Sequence, residues 1–184
     1  MATKSKDKAP QGFIEGERII LRPVREDDLP ALAALMAENP FERKPTPWTL
    51  QRLKKKYEDE KQPGLWSESE RFYVAQLKEG GLAGFIIQRN EGYVFWINFH
   101  VDEKIEDRDE VGNDLVAAYI MLMKTWQDLA RVSAEILRPE KQKAAWLMAN
   151  GFEHEVTFER MQFYMGKPEA VEIYAWLAPR VAVE

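Results

Sequence analysis

The sequence predicts an α+β fold: a mixed, mostly antiparallel sheet of about seven strands with helices on both faces. Two observations lead to this prediction. Three strand-like runs over residues 71–101 are separated by short glycine-containing turns, which is typical of an antiparallel meander. A strand, a helix, a second strand and a second helix then follow over residues 93–152. Together these segments form an α+β pattern within one domain.

The composition excludes several kinds of site and argues against several kinds of partner. The 184 residues are enough for one domain with a substantial core, and the net charge of −5 argues against a nucleic-acid surface. The absence of cysteine excludes disulfides, thiolate metal sites and a cysteine nucleophile. No apolar run approaches the roughly 20 residues of a membrane span, and the polar N-terminus lacks a signal-peptide core. We therefore expect a cytoplasmic protein with no membrane or nucleic-acid partner.

The first half of the chain predicts one strand and two helices. Residues 1–12 are polar, and a flexible tail is predicted over residues 1–13. Residues 17–24 contain a β-branched run and predict the first strand. Leucines at helical spacing then predict a helix from Leu29 to a stop at Asn39-Pro40, and Thr46-Pro47 predict the start of a helix over residues 48–61.

The middle of the chain predicts the meander. Strands are expected over residues 71–77, 82–88 and 93–101, because each is rich in β-branched and aromatic residues. Glycine-containing turns over residues 78–81 and 90–92 separate them.

An acidic loop over residues 102–110 leads from the meander into the second half. A helix with an apolar stripe is predicted over residues 111–128, a strand over residues 131–137 and a second helix over residues 140–150. Asn150-Gly151 has the composition of a helix C-cap.

The end of the chain predicts a hairpin and one more helix. The hairpin strands are expected over residues 153–158 and 160–165. Residues 168–177 are predicted to form a C-terminal helix, with Val171, Tyr174 and Leu177 on one side. One domain over residues 14–165 is therefore expected, followed by a C-terminal helix and tail over residues 166–184.

The second half resembles the core of a GCN5-related N-acetyltransferase, of the ribosomal-protein-acetyltransferase type. Residues 129–137 resemble the fifth strand of that family, and residues 141–152 resemble its next helix and closing Gly-Phe. The resemblance covers roughly residues 14–165 and implies the acetyltransferase fold. It also implies acetyl-CoA as cosubstrate, with its pyrophosphate held by a glycine-rich turn at a helix N-terminus.

The turn itself departs from the family. Residues 107–112 align with the family pattern Gln/Arg-x-x-Gly-x-Gly/Ala, and only Gly112 matches it. The loop instead carries four carboxylates, at Glu106, Asp107, Asp109 and Glu110. Two like charges about 4 Å apart repel by roughly 4 kcal/mol near a surface. The loop therefore predicts weakened coenzyme binding.

Two further family positions are changed. The asparagine that contacts the coenzyme in the family aligns with Glu140 or Lys141. The tyrosine that often protonates the departing thiolate aligns with Leu147, which has no proton to donate.

The resemblance nevertheless assigns candidate site residues. The coenzyme would be held by Val101, by Arg108, which opposes the carboxylates, and by the backbone of residues Val111, Gly112 and Asn113. His100 and Glu103, near the end of the central strand, are the candidate catalytic bases. Neither is spaced for metal binding with any other residue, so no metal is expected.

Two functions follow from these observations. One is an N-acetyltransferase that moves an acetyl group from acetyl-CoA to a primary amine of a protein or small molecule. The other is a non-catalytic descendant of the fold that binds a protein partner or itself within a larger assembly, such as a phage particle. Exposure of Trp48 or Trp66 would indicate a protein-contact surface. The three changed coenzyme features favour the non-catalytic hypothesis.

Overall fold

The computed structural model describes residues 13–38, 48–59, 70–125, 129–164 and 166–178. Several features of the sequence analysis lie outside these residues. They are residues 1–12 of the tail, the helix stop at Asn39-Pro40, the helix cap at Thr46-Pro47, Trp66, and residues 126–128 of the predicted long helix. None of the helices in the described residues is long and apolar enough to cross a membrane.

The described residues form one sheet of eight strands and four α-helices. The strands are β1 (Ile14–Glu15), β2 (Ile19–Pro23), β3 (Glu70–Leu77), β4 (Leu82–Glu91), β5 (Val94–Val101), β6 (Arg131–Leu137), β7 (Glu153–Tyr164) and β8 (Lys167–Leu177). The helices are α1 (Leu29–Glu38), α2 (Leu50–Asp59), α3 (Arg108–Met123) and α4 (Lys141–Ala149).

The strand order across the sheet is β1-β2-β3-β4-β5-β6-β8-β7. All neighbouring strands are antiparallel except β5 and β6, which are parallel because α3 carries the chain back between them. The predicted mixed, mostly antiparallel α+β fold is therefore confirmed. The predicted count of about seven strands becomes eight: β1 and β8 were not foreseen, and the two predicted hairpin strands form the single strand β7.

Two hydrophobic clusters show how the helices cover the sheet. Leu32 of α1 and Leu53 of α2 pack with Phe72 and Val74 on one face. The neighbouring β3 residue Tyr73 belongs to a second cluster, which also contains the apolar residues of α3 and α4. Adjacent strand residues point to opposite faces, so both faces of the sheet are covered, as predicted. Trp48 is also buried, with its ring 5.6 Å from that of Phe72, and does not form a contact surface.

The predicted C-terminal helix over residues 168–177 is wrong, because this segment is strand β8. It lies between β6 and β7, and it is hydrogen-bonded to both. Val171, Ile173 and Trp176 are β-branched or aromatic, and they are buried because an internal strand is covered on both faces. The apparent helical spacing that included Leu177 was coincidental, since Leu177 is 63% exposed.

The predicted hairpin is also corrected. Residues 153–164 form the single strand β7, and the turn lies at Gly166, where φ is +76°. The turn predicted around residue 159 corresponds to an irregularity in the ladder between Phe158 and Gln162, where Arg160 has φ of +55°. A bulge and a turn are signalled by similar local composition, and only pairing with β8 distinguishes them.

The start of α3 differs from the prediction as well. The helix begins at Arg108, three residues before the predicted start, so Asp109 and Glu110 lie in its first turn. Negative side chains are favourable at this end of the helix dipole.

A buried ion pair ties β2 to the turn before α1. Asp28 accepts hydrogen bonds from Nη1 and Nη2 of Arg22 at 2.6 and 2.8 Å and from the backbone N–H of Arg25 at 2.7 Å. Both side chains are about nine-tenths buried.

Replacing Asp28 by alanine should therefore destabilise the protein. The Asp28→Ala variant leaves the buried positive charge of Arg22 without a carboxylate, with only the neutral acceptors of Gln76 and Pro23. This loss should lower the free energy of unfolding by about 3–5 kcal/mol. Urea denaturation measures the change. The exposed neighbour Asp27, changed to alanine in the same way, is the matched control and should cost less than about 0.5 kcal/mol. Equal losses in the two variants would contradict the assignment.

Candidate functional site

The pairing between the parallel strands β5 and β6 ends partway along their length. They pair only from Val94↔Arg131 to Ile97↔Ala134. Beyond that point the two strands diverge, although each stays paired on its outer side to β4 and β8. The divergence leaves a gap at the ends of the strands that lead to α3 and α4.

A cavity of about 320 Å³ lies at this end of the gap. It is large enough for part of a small-molecule ligand. Its lining comes from the end of β5, the following loop, the N-termini of α3 and α4, and the end of β7: His100, Glu103, Arg108, Pro139, Glu140, Gln142, Lys143 and Tyr164.

Gly112 does not face an open slot. A Cβ atom added at Gly112 would lie 2.3 Å from the indole ring of Trp146, so the glycine allows α4 to pack closely on α3. Trp146 is 2% exposed, and its Nε1 donates a hydrogen bond to Asp109 Oδ1 at 2.9 Å. The glycine that matches the family pattern therefore serves helix packing here.

The acidic loop is partly neutralised by local contacts. Asp107 pairs with Arg18 at 2.6 Å. Asp109 Oδ1 accepts hydrogen bonds from Trp146 and from Gln142 Nε2, the latter at 2.6 Å. Two of the four carboxylates thus bind partners in the protein, and the positive charge of Arg18 offsets the negative charge of one of them, Asp107.

Arg108 brings positive charge to the cavity. Its Nη1 donates to Gln142 at 2.9 Å, and its guanidinium lies 5.6 Å from the Trp146 ring centroid. Its Nε is buried and has no hydrogen-bond partner among the described residues. A buried donor without a partner is costly, and Arg108 is one of the residues that line the cavity.

Lys143 is the second cation. Its side chain is 6% exposed, it forms an ion pair with Glu140, and its ammonium lies 5.6 Å from the Phe99 ring centroid. Glu140 Oε2 also accepts a hydrogen bond from the backbone N–H of Leu137 at 3.1 Å. Burial lowers the pKa of Lys143, against the opposing effect of Glu140.

His100 is a neutral imidazole at physiological pH. Burial, with the positive charges of Lys143 and Arg108, lowers its pKa to about 3. The residue is 1% exposed, and its Nε2 has no hydrogen-bond partner in the part of the chain that the structure describes. An imidazole with such a low pKa is a weak base.

Glu103 is the other candidate base. Its carboxylate is 65% exposed at the cavity edge, and one oxygen lies 4.0 Å from Arg108 Nη2.

The predicted site residues therefore separate into two groups. His100, Glu103 and Arg108 line the cavity together. The four others, Val101, Val111, Gly112 and Asn113, are not part of its lining: the first three are buried, and Asn113 donates to the backbone of Asp109.

Sequence reasoning missed Gln142, Lys143 and Tyr164. The segment Lys141-Gln142-Lys143 has the composition of an exposed first turn of a helix. One signal was present: Glu140 and Lys143 are three residues apart, which places them on the same helix face. Tyr164 was assigned to a hairpin, and no local signal places it near α4.

Comparison with known proteins identifies the architecture. No protein-family model and no curated protein matches the chain. Among solved structures, the spermidine N-acetyltransferase from Vibrio cholerae in complex with CoA and spermine matches with a TM-score of 0.74 and 15% identity, over 87% of this chain and 95% of that one. The fold is that of the GCN5-related N-acetyltransferases.

Ribosomal-protein acetyltransferases match this acetyltransferase-fold chain as well. Mycobacterium smegmatis RimJ in complex with CoA-disulfide has a TM-score of 0.73 and 18% identity, over 90% of this chain and 87% of its own. The ribosomal-protein-S5-alanine acetyltransferase from Vibrio fischeri has a TM-score of 0.71 and 17% identity, over 90% and 96%. At these identities the comparisons establish the fold.

The contact between Gly112 and Trp146 can be tested by a double-mutant cycle. Gly112→Ala should lower the free energy of unfolding by about 1–3 kcal/mol, because the added methyl group overlaps the indole. In a Trp146→Phe background the smaller ring should relieve part of this cost, giving a coupling of at least about 0.5 kcal/mol. Urea denaturation of the four proteins measures it. Strictly additive costs would show that the two residues do not meet.

The neutral state of His100 predicts a pH dependence of stability. The folded pKa of about 3 lies below the ordinary value of 6.5, so the unfolded chain binds a proton that the folded protein does not. This contribution to stability is fully present above pH 6.5 and is lost as the pH falls toward 3. Between pH 7 and pH 5 the loss should be roughly 2 kcal/mol.

Urea denaturation at both pH values tests this expectation. The His100→Gln variant should lose that much less stability than the wild type between pH 7 and pH 5, whatever its stability at pH 7. His154, which is exposed, serves as the control after the same substitution. An unchanged pH dependence in the His100 variant would contradict the buried neutral imidazole.

Proposed function

We propose that this protein is an N-acetyltransferase that moves an acetyl group from acetyl-CoA to a primary amine. The observation that carries the proposal is the cavity where β5 and β6 diverge, which is lined by Arg108, Lys143 and His100. Arg108 Nε and His100 Nε2 are buried polar atoms without a hydrogen-bond partner among the described residues, so a polar group bound beside them would offset a cost of burial. The likeness to N-acetyltransferases of known structure supports this class of reaction.

The phosphates of the coenzyme would be held by a side chain in place of the missing glycine turn. Arg108 begins α3, so its guanidinium and the unpaired backbone N–H groups of the first helical turn lie at the same end of the helix. Guanidinium groups bind phosphate strongly. The pairing of Asp107 with Arg18 reduces the opposing charge.

Acetyl-CoA supplies an acetyl carbon activated as a thioester. We assign Glu103 as the acceptor of the proton that the incoming amine must lose, because it is a carboxylate with access to solvent at the cavity edge. His100 is the weaker candidate, given its pKa of about 3. Its unpaired Nε2 is better suited to bind the ligand than to accept a proton.

A second candidate is a non-catalytic binding or structural protein, for example in a phage assembly. The close packing of Trp146 on Gly112 favours it, because the helix-packing role of this glycine leaves no glycine cradle at the start of α3. Leu147 favours it as well, because this buried side chain cannot protonate a departing thiolate.

Calorimetric titration with acetyl-CoA distinguishes the two functions. The wild-type protein should bind with micromolar affinity, and Arg108→Ala should weaken binding at least tenfold, about 1.4 kcal/mol, by removing the phosphate partner. Arg89, an exposed arginine on β4, is the matched control, and its alanine variant should bind like the wild type. Release of free thiol in the presence of a panel of amines then tests transfer.

Two results would contradict the enzymatic proposal. The absence of both heat and a thermal shift at millimolar acetyl-CoA would overturn the enzymatic proposal and leave the binding protein. Binding without thiol release on any amine would retain the ligand and reject the transfer reaction.

A further inference from the structure

Lys143 has an unusual position for a lysine. Its side chain is almost fully buried, although it is located in the first turn of a helix, where long charged side chains ordinarily reach water. It nevertheless lines the cavity. Its ammonium therefore points inward, toward the gap between β5 and β6.

Exposure distinguishes the floor of the cavity from its mouth. The side chains of Arg108 and Glu103 are 24% and 65% exposed, which places them at the mouth. Those of Lys143 and Glu140 are 6% and 5% exposed, which places them at the floor. The ammonium also lies close to the ring of Phe99, a β5 residue beyond the end of the parallel pairing.

The surroundings of Lys143 supply a partner for one of its protons. Glu140 forms an ion pair with the ammonium, and the N–H of Leu137 holds the same carboxylate in place. Burial lowers the pKa of Lys143, which favours loss of that proton. A desolvated lysine is a recognised type of nucleophile.

We propose that Lys143 is an internal acetyl acceptor, so that the protein acetylates itself at this residue from a thioester bound in the cavity. One proton of the ammonium passes to Glu140. The amine nitrogen attacks the thioester carbonyl carbon, a C–N bond forms and the C–S bond breaks. The sulfur leaves with the bonding electron pair and takes the second nitrogen proton, which gives a thiol, an amide and a neutral Glu140.

The reaction has a consequence for the cavity. The amide is uncharged and larger than the amine, so it ends the ion pair with Glu140 and fills part of the space. The acetylated protein should then bind acetyl-CoA more weakly. This inference rests on the proposed function for its natural donor, although the chemistry at Lys143 requires only a thioester.

Peptide mass spectrometry of the wild-type protein tests the inference directly. After incubation with acetyl-CoA, one acetyl group should be found on Lys143 at least about tenfold faster than on Lys141, because the cavity holds donor and acceptor together. Lys141 lies two residues away and is exposed, so simple chemical acetylation would favour it instead. The preference for Lys143 should disappear in urea.

Two further experiments complete the test. Lys143→Arg should abolish the fast modification, whereas Lys141→Arg should leave it unchanged. A truncated donor, S-acetyl-N-acetylcysteamine, has no phosphates and reports on Lys143 even if the coenzyme does not bind. Modification by this donor without binding of acetyl-CoA would retain the acceptor and reject the proposed function.

Several results would contradict the role of Lys143 as an internal acceptor. Calorimetric binding of acetyl-CoA with Lys143 unmodified would overturn the internal acceptor while the proposed function stands. Acetylation of Lys141 and Lys143 at equal rates, or an unchanged preference in urea, would reduce the modification to ordinary surface chemistry. Failure of both donors to modify Lys143 in the folded protein would also overturn the inference.

Discussion

The early end of the parallel pairing between β5 and β6 is the constraint on which the site depends. Four residue pairs join the two strands, and then the ladder stops. On their outer sides the ladders continue, to Gly84↔Val101 with β4 and to Leu137↔Val171 with β8. Because each strand is held in place by its outer neighbour, the gap cannot close without breaking one of these ladders.

The gap determines the polar chemistry around it. Backbone groups that lose a strand partner must find another, and the N–H of Leu137 finds the carboxylate of Glu140. A buried carboxylate in turn needs a positive partner, and Lys143 supplies it from one turn further along α4. The buried lysine is thus a consequence of the parted strands, and its charge contributes to the low pKa of His100.

The acidic first turn of α3 has a structural role of the same kind. Asp109 docks α4 onto α3 through Trp146 and Gln142, and Gly112 leaves the space that the indole needs. Carboxylates that would repel a pyrophosphate therefore contribute to helix packing and interact favourably with the dipole of α3. The acetyltransferase proposed above would therefore hold the coenzyme phosphates with the side chain of Arg108.

Much of the fold could be predicted because its signals are local. The alternation and β-branching of residues 131–137 predict a strand with the observed bounds. The helix over residues 140–150 was also found to within a residue at each end. Residues 168–177 were predicted as a helix although they form strand β8. A strand that is buried on both faces shows no alternation, and three apolar residues happened to share a helical spacing.

The sequence by itself determined the order of the elements from β2 to α4, the departure from the glycine turn and the leucine at the position of the proton donor. Only the tertiary structure decided that Trp146 covers Gly112, that Lys143 points inward, and that His100, Glu103 and Arg108 line one cavity. The physical reason is the range of the interactions. Periodicity and capping act within a few residues, whereas the cavity depends on where strands distant in the chain stop pairing.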